Sequence, residues 1–211
     1  MITVHGRASS VNVQIVMWAI AELGLPYERH DVSGPFGGTD TPEFLAMNPN
    51  GLVPVIQDGD LTMFESAAIV RYLGAKYGDD RFWPKDPVER APLDMWAEWA
   101  KTTFATAMNP IFMQMVRTRE ADRNMALVEM SVKQLAKAAA IADARIGDGP
   151  FLFGDAPTFA DIIFAHQLYR YYTLPFERTQ TPNLDRHYER LTKRPAFAEH
   201  VMISYESLRA K

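Results

Sequence analysis

The stretch Asn50-Gly51-Leu52-Val53-Pro54-Val55-Ile56-Gln57-Asp58-Gly59-Asp60-Leu61-Thr62-Met63-Phe64-Glu65-Ser66 decides the fold of the N-terminal part of the chain. Asp58-Gly59 between two apolar runs is a strong hairpin signal. Val53 to Gln57 and Leu61 to Phe64 therefore read as antiparallel strands. Pro54 enters the first strand with no N–H to give the ladder, which leaves two readings. One is an edge-strand proline. The other is a cis Val53-Pro54 bond, which turns the Val53 N–H and C=O outward toward a peptide-like ligand. Glu65-Ser66 then opens a helix that runs to Tyr77, with Ile69, Tyr72 and Leu73 on one face and Gly78 as its stop. Either these two residues cap the helix, or they hold an amino-acid head group. In the second reading Glu65 takes the ammonium, and Ser66 with the free helix N–H groups takes the carboxylate.

Toward the N-terminus, Ile2 to His5 alternates as a strand, and Val13, Val16, Met17, Ile20 and Leu23 follow helical spacing. Gly24 stands where a helix C′ glycine belongs, with Pro26 just beyond. Tyr27 to Val32 reads as a second strand, Ser33 to Asp40 as a breaker-rich loop, and Pro42 to Met47 as a short helix. The order is βαβ-α-ββα. A parallel crossover followed by a hairpin makes a mixed four-stranded sheet with helices on both faces, and residues 1–78 suffice for it. The first strand-to-helix turn is Gly6-Arg7-Ala8-Ser9-Ser10-Val11-Asn12. Small hydroxyl and amide residues at a helix start either cap it, through Ser10 or Asn12, or attend an anion drawn by the free N–H groups and the helix dipole.

Residues 79–87 are charged, carry two prolines and read as a linker. Strand signals stop there, and residues 88–211 read as an all-α domain. Its helices span Pro87 to about Arg119, Asp122 to Ile146, Thr158 to Tyr171, Asn183 to Lys193 and Ala196 to Ser207. Pro110 predicts a kink or break near Asn109. Trp96 and Trp99 read as core or inter-domain packing.

Composition sets outer limits. Of 211 residues, 47% are hydrophobic and 23% charged, which is the profile of a globular chain with a sizeable core. A net charge of −4 with no basic stripe argues against a nucleic-acid or acidic-membrane partner. The absence of cysteine excludes disulfides, thiolate metal sites and a cysteine nucleophile, and no metal is expected. No window nears the roughly 18 apolar residues of a membrane span, and the N-terminus carries no secretion pattern. A cytoplasmic location is the expectation.

Taken together, the GRASSVN turn, the helix end AELGLPYE, NPNGLVPV, FESAAIVRYL and the later GDAPTFADI resemble the cytosolic glutathione transferases of bacterial type, over essentially the whole chain. The resemblance implies a thioredoxin-like N-terminal domain with Pro54 cis. It also implies that backbone groups of Val53 clasp the cysteinyl part of glutathione and that Glu65 and Ser66 hold its γ-glutamyl end. The glycyl carboxylate is expected toward Gly37 to Asp40. Thr158 to Asp161 match the family's helix-start box, a structural feature.

Family members activate the glutathione thiol with tyrosine, serine or cysteine. The chain has no cysteine, and His5 stands at the tyrosine position, so a serine-type turn is implied. Alignment back from AELGLPYE puts Ser10 at the family serine, with Ser9 and Asn12 still open. A hydroxyl or an amide N–H₂ can donate to the thiolate. His5 reads as a locally bonded strand histidine and Arg7 as a solvated arginine. The electrophile pocket is expected between the domains, lined by Phe104, Met108, Phe112, Met115, Arg117 and Tyr169.

The expected activity is attack of the thiolate on a small hydrophobic electrophile by a homodimeric detoxification enzyme. Three alternatives stand beside it. They are glutathione-dependent peroxidase or reductase chemistry, a non-catalytic glutathione-binding scaffold, and isomerisation. The turn's lack of a Ser-Ser-Cys run counts against isomerisation.

Overall fold

The computed structural model describes residues 1–210; Lys211, the last residue of the expected helical domain, lies outside the described residues. Strands β1 (Ile2–His5), β2 (Tyr27–His30), β3 (Val55–Asp58) and β4 (Leu61–Phe64) form one sheet in the order β2-β1-β3-β4. The β1–β2 pair is parallel, with Ile2 opposite Tyr27. The β1–β3 and β3–β4 pairs are antiparallel, with Val4 opposite Ile56 and Val55 opposite Phe64. This is the mixed sheet that the hairpin and the first crossover predict.

Helix α1 (Val11–Glu22) is buried continuously from Val13 to Ile20. A helix apolar around most of its girth must be covered on most sides. It packs on α3 (Ser66–Tyr77) within the sheet unit, and on α7 (Phe159–Ala165) and α10 (Pro195–His200) of the helical part. It ends as the sequence indicates. Gly24, at φ +62, lets the Leu25 N–H reach the Ile20 carbonyl at 3.0 Å and its own N–H reach the Ala21 carbonyl at 3.1 Å. At the same end Glu22 accepts from Trp18 Nε1 at 2.9 Å and from both Nε and Nη2 of Arg194, at 2.9 and 2.5 Å. That three-residue lock ties α1 to the last helices.

The short helix α2 (Pro42–Met47) touches β4. The segment between Tyr77 and Pro87 is packed rather than slack. Asp79 Oδ1 accepts from the Phe82 N–H, Phe82 and Trp83 cover Gly74, and the Phe82 carbonyl accepts from the Phe159 N–H.

Beyond it come α4 (Pro87–Trp99), α5 (Ala105–Phe112), α6 (Met125–Ile146), α7, α8 (Leu168–Thr173), α9 (Pro182–Thr192) and α10. Three expectations are corrected here. Of the kink or break expected near Asn109, the break does not occur. Helical winding continues from α4 through a π turn at Ala100–Phe104, α5 and a second π turn at Met113–Arg117, with Pro110 inside α5. Wider turns on both sides accommodate the missing N–H and the ring. The helix expected from Thr158 to Tyr171 is two, α7 and α8. His166 Nδ1 donates to the Ile163 carbonyl at 2.9 Å, taking an acceptor at the end of α7. The terminal helix closes at His200, and among the described residues only a 3₁₀ turn at Glu206–Leu208 follows it.

The Thr158–Asp161 box forms at the start of α7, all of whose residues are buried. Trp99 lies in an aromatic cluster with Trp96, Phe104 and Phe164, ring centres 5.0 to 6.3 Å away. Among the described residues no helix is long and apolar enough to cross a membrane, and no group of three or more His, Asp or Glu is placed to hold a metal ion.

Candidate active site

The turn between β1 and α1 is built tight. A Cβ at Gly6 would lie 2.4 Å from Val13 Cγ2 and 3.2 Å from Val53 Cβ, so only glycine lets the turn press on both. Gln14 Nε2 donates to the Ala8 carbonyl at 3.2 Å and holds the turn from inside. Ser10 is the N-cap residue of α1, with extended backbone angles, yet its side chain makes no capping hydrogen bond. The hydroxyl that ordinarily serves a helix end is therefore left over. Ser9 differs: its Oγ accepts from Arg7 Nη1 at 2.8 Å, and its carbonyl accepts from Arg170 Nη2 at 3.3 Å.

Two cavities meet at this turn. The smaller, of about 210 Å³, lies against the sheet unit and is lined by Ser33, Asn48, Val53, Pro54, Glu65 and Ser66 together with Arg7, Ser10 and Asn12. All four residues that the sequence assigns to glutathione thus share one groove. The Val53-Pro54 bond is cis. Asn48 holds the loop before it, donating to the Leu52 carbonyl at 2.7 Å and accepting from the Asn50 N–H at 3.0 Å.

Glu65 is the N-cap of α3 and makes no side-chain cap bond, while Ser66 is 3% exposed. Among the described residues two non-glycines have positive φ, Ser33 at 81° and Glu65 at 70°, and both line this groove. Such backbone strain persists where surrounding structure enforces it and concentrates at ligand clamps. Residues 37–40 do not line the groove; Ser33, at the head of that loop, does.

The larger cavity, of about 420 Å³, opens between the sheet unit and the helical part. It shares Arg7, Ser10 and Asn12 with the groove. From the first π turn to the second it takes Lys101, Ala105, Asn109, Phe112, Met113 and Arg117. That is a stripe recurring about every four residues, one helical face.

Of the pocket residues the sequence suggests, Phe112 and Arg117 line this cavity. Phe104 and Met108 are 0% exposed and belong to the core. Met115 packs on the core and Tyr169 lies against Tyr205, ring centres 6.1 Å apart; neither lines the cavity. The apolar stripe is the seam that packs, and the cavity takes the stripe next to it. Lys101, Asn109, Gln167 and Arg170 also line it; in sequence, a polar residue beside an apolar stripe reads as solvated face. Ser9 lines neither cavity, and His5 pairs with Gln57 at 3.0 Å on the sheet.

The electrostatics are one-signed. Arg7, Lys101, Arg117 and Arg170 all line the larger cavity, with no Asp or Glu among its lining residues. Burial, and then Arg117, lower the Arg7 guanidinium from its ordinary value. Burial lowers the Lys101 ammonium, against the pull of Glu65 and Glu98. Burial, with Arg7 next in weight, pushes Arg170 down to about 9, still charged at neutral pH. A free hydroxyl at a helix N-terminus, in a cavity lined by cations and no carboxylate, suits a thiolate or a developing anion.

Residues 9–76 match the family model described as glutathione S-transferase, N-terminal domain, and residues 125–190 match glutathione S-transferase, C-terminal domain. The chain is 41% identical over 205 residues to glutathione S-transferase GstB of Escherichia coli K12, covering 96% of this chain and 99% of that one. It is 36% identical over 202 residues to glutathione S-transferase F13 of Arabidopsis thaliana, covering 92% and 91%. Among solved structures, it superposes on the theta class glutathione S-transferase of Xanthomonas axonopodis pv. citri with glutathione bound. The TM-score is 0.91 and the identity 41%, with 96% of this chain and 98% of that one covered.

Proposed function

Since the chain belongs to the glutathione S-transferase family, we propose that it binds glutathione in the smaller groove, holds it as the thiolate at Ser10, and directs that sulfur at an electrophile in the larger cavity. The observation that carries the reading is the position of Ser10. It lines both cavities, and its hydroxyl is not spent on capping.

In this reading Glu65 receives the γ-glutamyl ammonium, and Ser66 with the first N–H groups of α3 receives the carboxylate beside it. Val53 offers its backbone to the cysteinyl unit as an added strand would be met. A free thiol titrates near 8.5, so little is ionised at neutral pH. The Ser10 hydroxyl donates to sulfur, and the positive end of α1 with Arg7 favours the charged form. Asn12 lines the same junction and is the alternative donor, through its amide N–H₂. The thiol proton leaves to water, and the larger cavity orients the electrophile over the sulfur.

The proposal extends to a homodimer acting in the cytoplasm in detoxification, supported by family membership. A sedimentation run showing one species at the monomer mass would remove the dimer. The binding claim is tested by calorimetric titration with glutathione and with S-methylglutathione. Saturable binding of both supports the groove; no binding of either overturns the reading.

A further inference from the structure

The geometry points to a second substrate that carries a carboxylate or equivalent anion, held by Arg117 and Arg170 in the larger cavity. This rests on the function proposed above and names the substrate class of the same site. A cavity made only for neutral hydrophobic molecules would be walled by apolar side chains. This one is walled by four cations, none of which lies within 4.0 Å of a carboxylate among the described residues.

Two of the four have other duties. Arg7 also lines the glutathione groove, and Lys101 feels Glu65 and Glu98. Arg117 and Arg170 line the larger cavity and not the groove. Arg170 is the more telling. It is 5% exposed, yet among the described residues its partners are one carbonyl, Ser9 O at 3.3 Å, and the Phe112 ring, whose centre is 3.7 Å from its guanidinium carbon. Buried arginines are normally paired, because removing the charge from water costs more than one long neutral hydrogen bond returns. Its planar fork suits a bidentate oxyanion. Phe112 thus backs Arg170 from one side, while both residues border the cavity.

The reaction balances with no further reagent. With an activated aryl halide, sulfur–carbon bond formation at the halogen-bearing carbon precedes carbon–halogen cleavage. Halide departs with the bonding pair, and the thiol proton passes to water.

The test compares 4-chloro-3,5-dinitrobenzoate with its carboxamide, each corrected for the uncatalysed reaction. A carboxylate activates the ring less than a carboxamide and repels a thiolate, so intrinsic reactivity favours the amide. The expected result is kcat/KM higher for the acid by about tenfold or more. In Arg117→Gln that ratio falls several-fold, and Arg117→Lys restores part of it. Non-reacting 3,5-dinitrobenzoate competes with the electrophile and not with glutathione.

Equal or reversed preference in an active enzyme overturns the inference. So does competition of dinitrobenzoate with glutathione, which would assign the cations to glutathione's own carboxylates. If neither chloride turns over, calorimetry on the glutathione-saturated protein decides. Binding of dinitrobenzoate but not dinitrobenzamide supports the inference, and binding of neither overturns it. Failure of glutathione itself to bind overturns the proposed function, and the inference with it.

Discussion

Thr158 and Asp161 close the start of α7 reciprocally. Asp161 Oδ2 accepts from the Thr158 N–H and from its hydroxyl, both at 2.9 Å. The other carboxylate oxygen accepts from the Leu152 N–H at 2.7 Å, so one fully buried carboxylate fastens the 152–158 loop to the helix behind it. Replacing Asp161 by alanine strands three buried donors, at a cost of about 2–5 kcal/mol. For a chain of this size that lowers Tm by roughly 5–15 °C. Thermal denaturation followed by circular dichroism measures it, and an unchanged Tm would show that the box is dispensable.

Asp58 offers a pH-dependent stability term. Burial on its own would raise its pKa. Hydrogen bonds from Lys76 at 2.9 Å, Tyr77 at 2.6 Å and Tyr72 at 2.7 Å outweigh this and hold the carboxyl at about 2. A folded-state pKa below the unfolded one contributes stability above the unfolded value and loses it as pH falls through the folded value. With Lys76 well exposed, screening limits the contribution to about 1–2 kcal/mol. Asp58→Asn is therefore expected to lower the urea midpoint at neutral pH, with the gap to wild type narrowing below about pH 4 and closing near 2. A constant gap across that range would detach the effect from the carboxylate's charge.

What was legible in the sequence was local. Asp58-Gly59 specifies the hairpin and Gly24 the end of α1, because each satisfies its own turn chemistry whatever lies around it. Glu65 and Ser66 were legible as a pair at a helix start, and the structure brings them into one groove with Val53. The larger cavity was not. Phe104 and Met108 advertise themselves as an apolar stripe, but such a stripe is the packing seam. The residues that line the cavity, Lys101 and Asn109 among them, sit one step round the helix, where a solvated face and a ligand face look the same. Two π turns also widen the winding around α5, so an ideal 3.6-residue period drifts off register there. Arg170 was hidden because its burial comes from contacts distant in sequence, Ser9 and Phe112.

The glutathione groove is open to direct substitution. Glu65 makes no capping bond and holds a positive φ, so its carboxylate is free for a ligand ammonium. Glu65→Ala and Ser66→Ala are each expected to weaken glutathione binding about tenfold or more, the scale of one charge-assisted hydrogen bond. Calorimetry reads it directly. Unchanged affinity in both variants would place the γ-glutamyl end elsewhere.

Ser10 and Asn12 compete for one role, and pH separates them. Both line the junction of the two cavities, but only Ser10 is the N-cap of α1, with a hydroxyl that caps nothing. A hydrogen bond to a charged group is worth about 1.5–3 kcal/mol, which is one to two pKa units on the thiol. Ser10→Ala is expected to raise the pH at half-maximal kcat/KM by about that amount, because the donor favours the charged form and its loss makes ionisation harder. At neutral pH, turnover falls by roughly ten- to a hundredfold. Affinity for S-methylglutathione, which has no thiol to ionise, changes little. Asn12→Ala is expected to leave the pH profile in place. The reverse pattern, a full-rate Ser10→Ala and a shifted Asn12→Ala, would transfer thiol activation to the amide. A shift in neither variant would mean that the α1 dipole and Arg7 suffice to hold the thiolate.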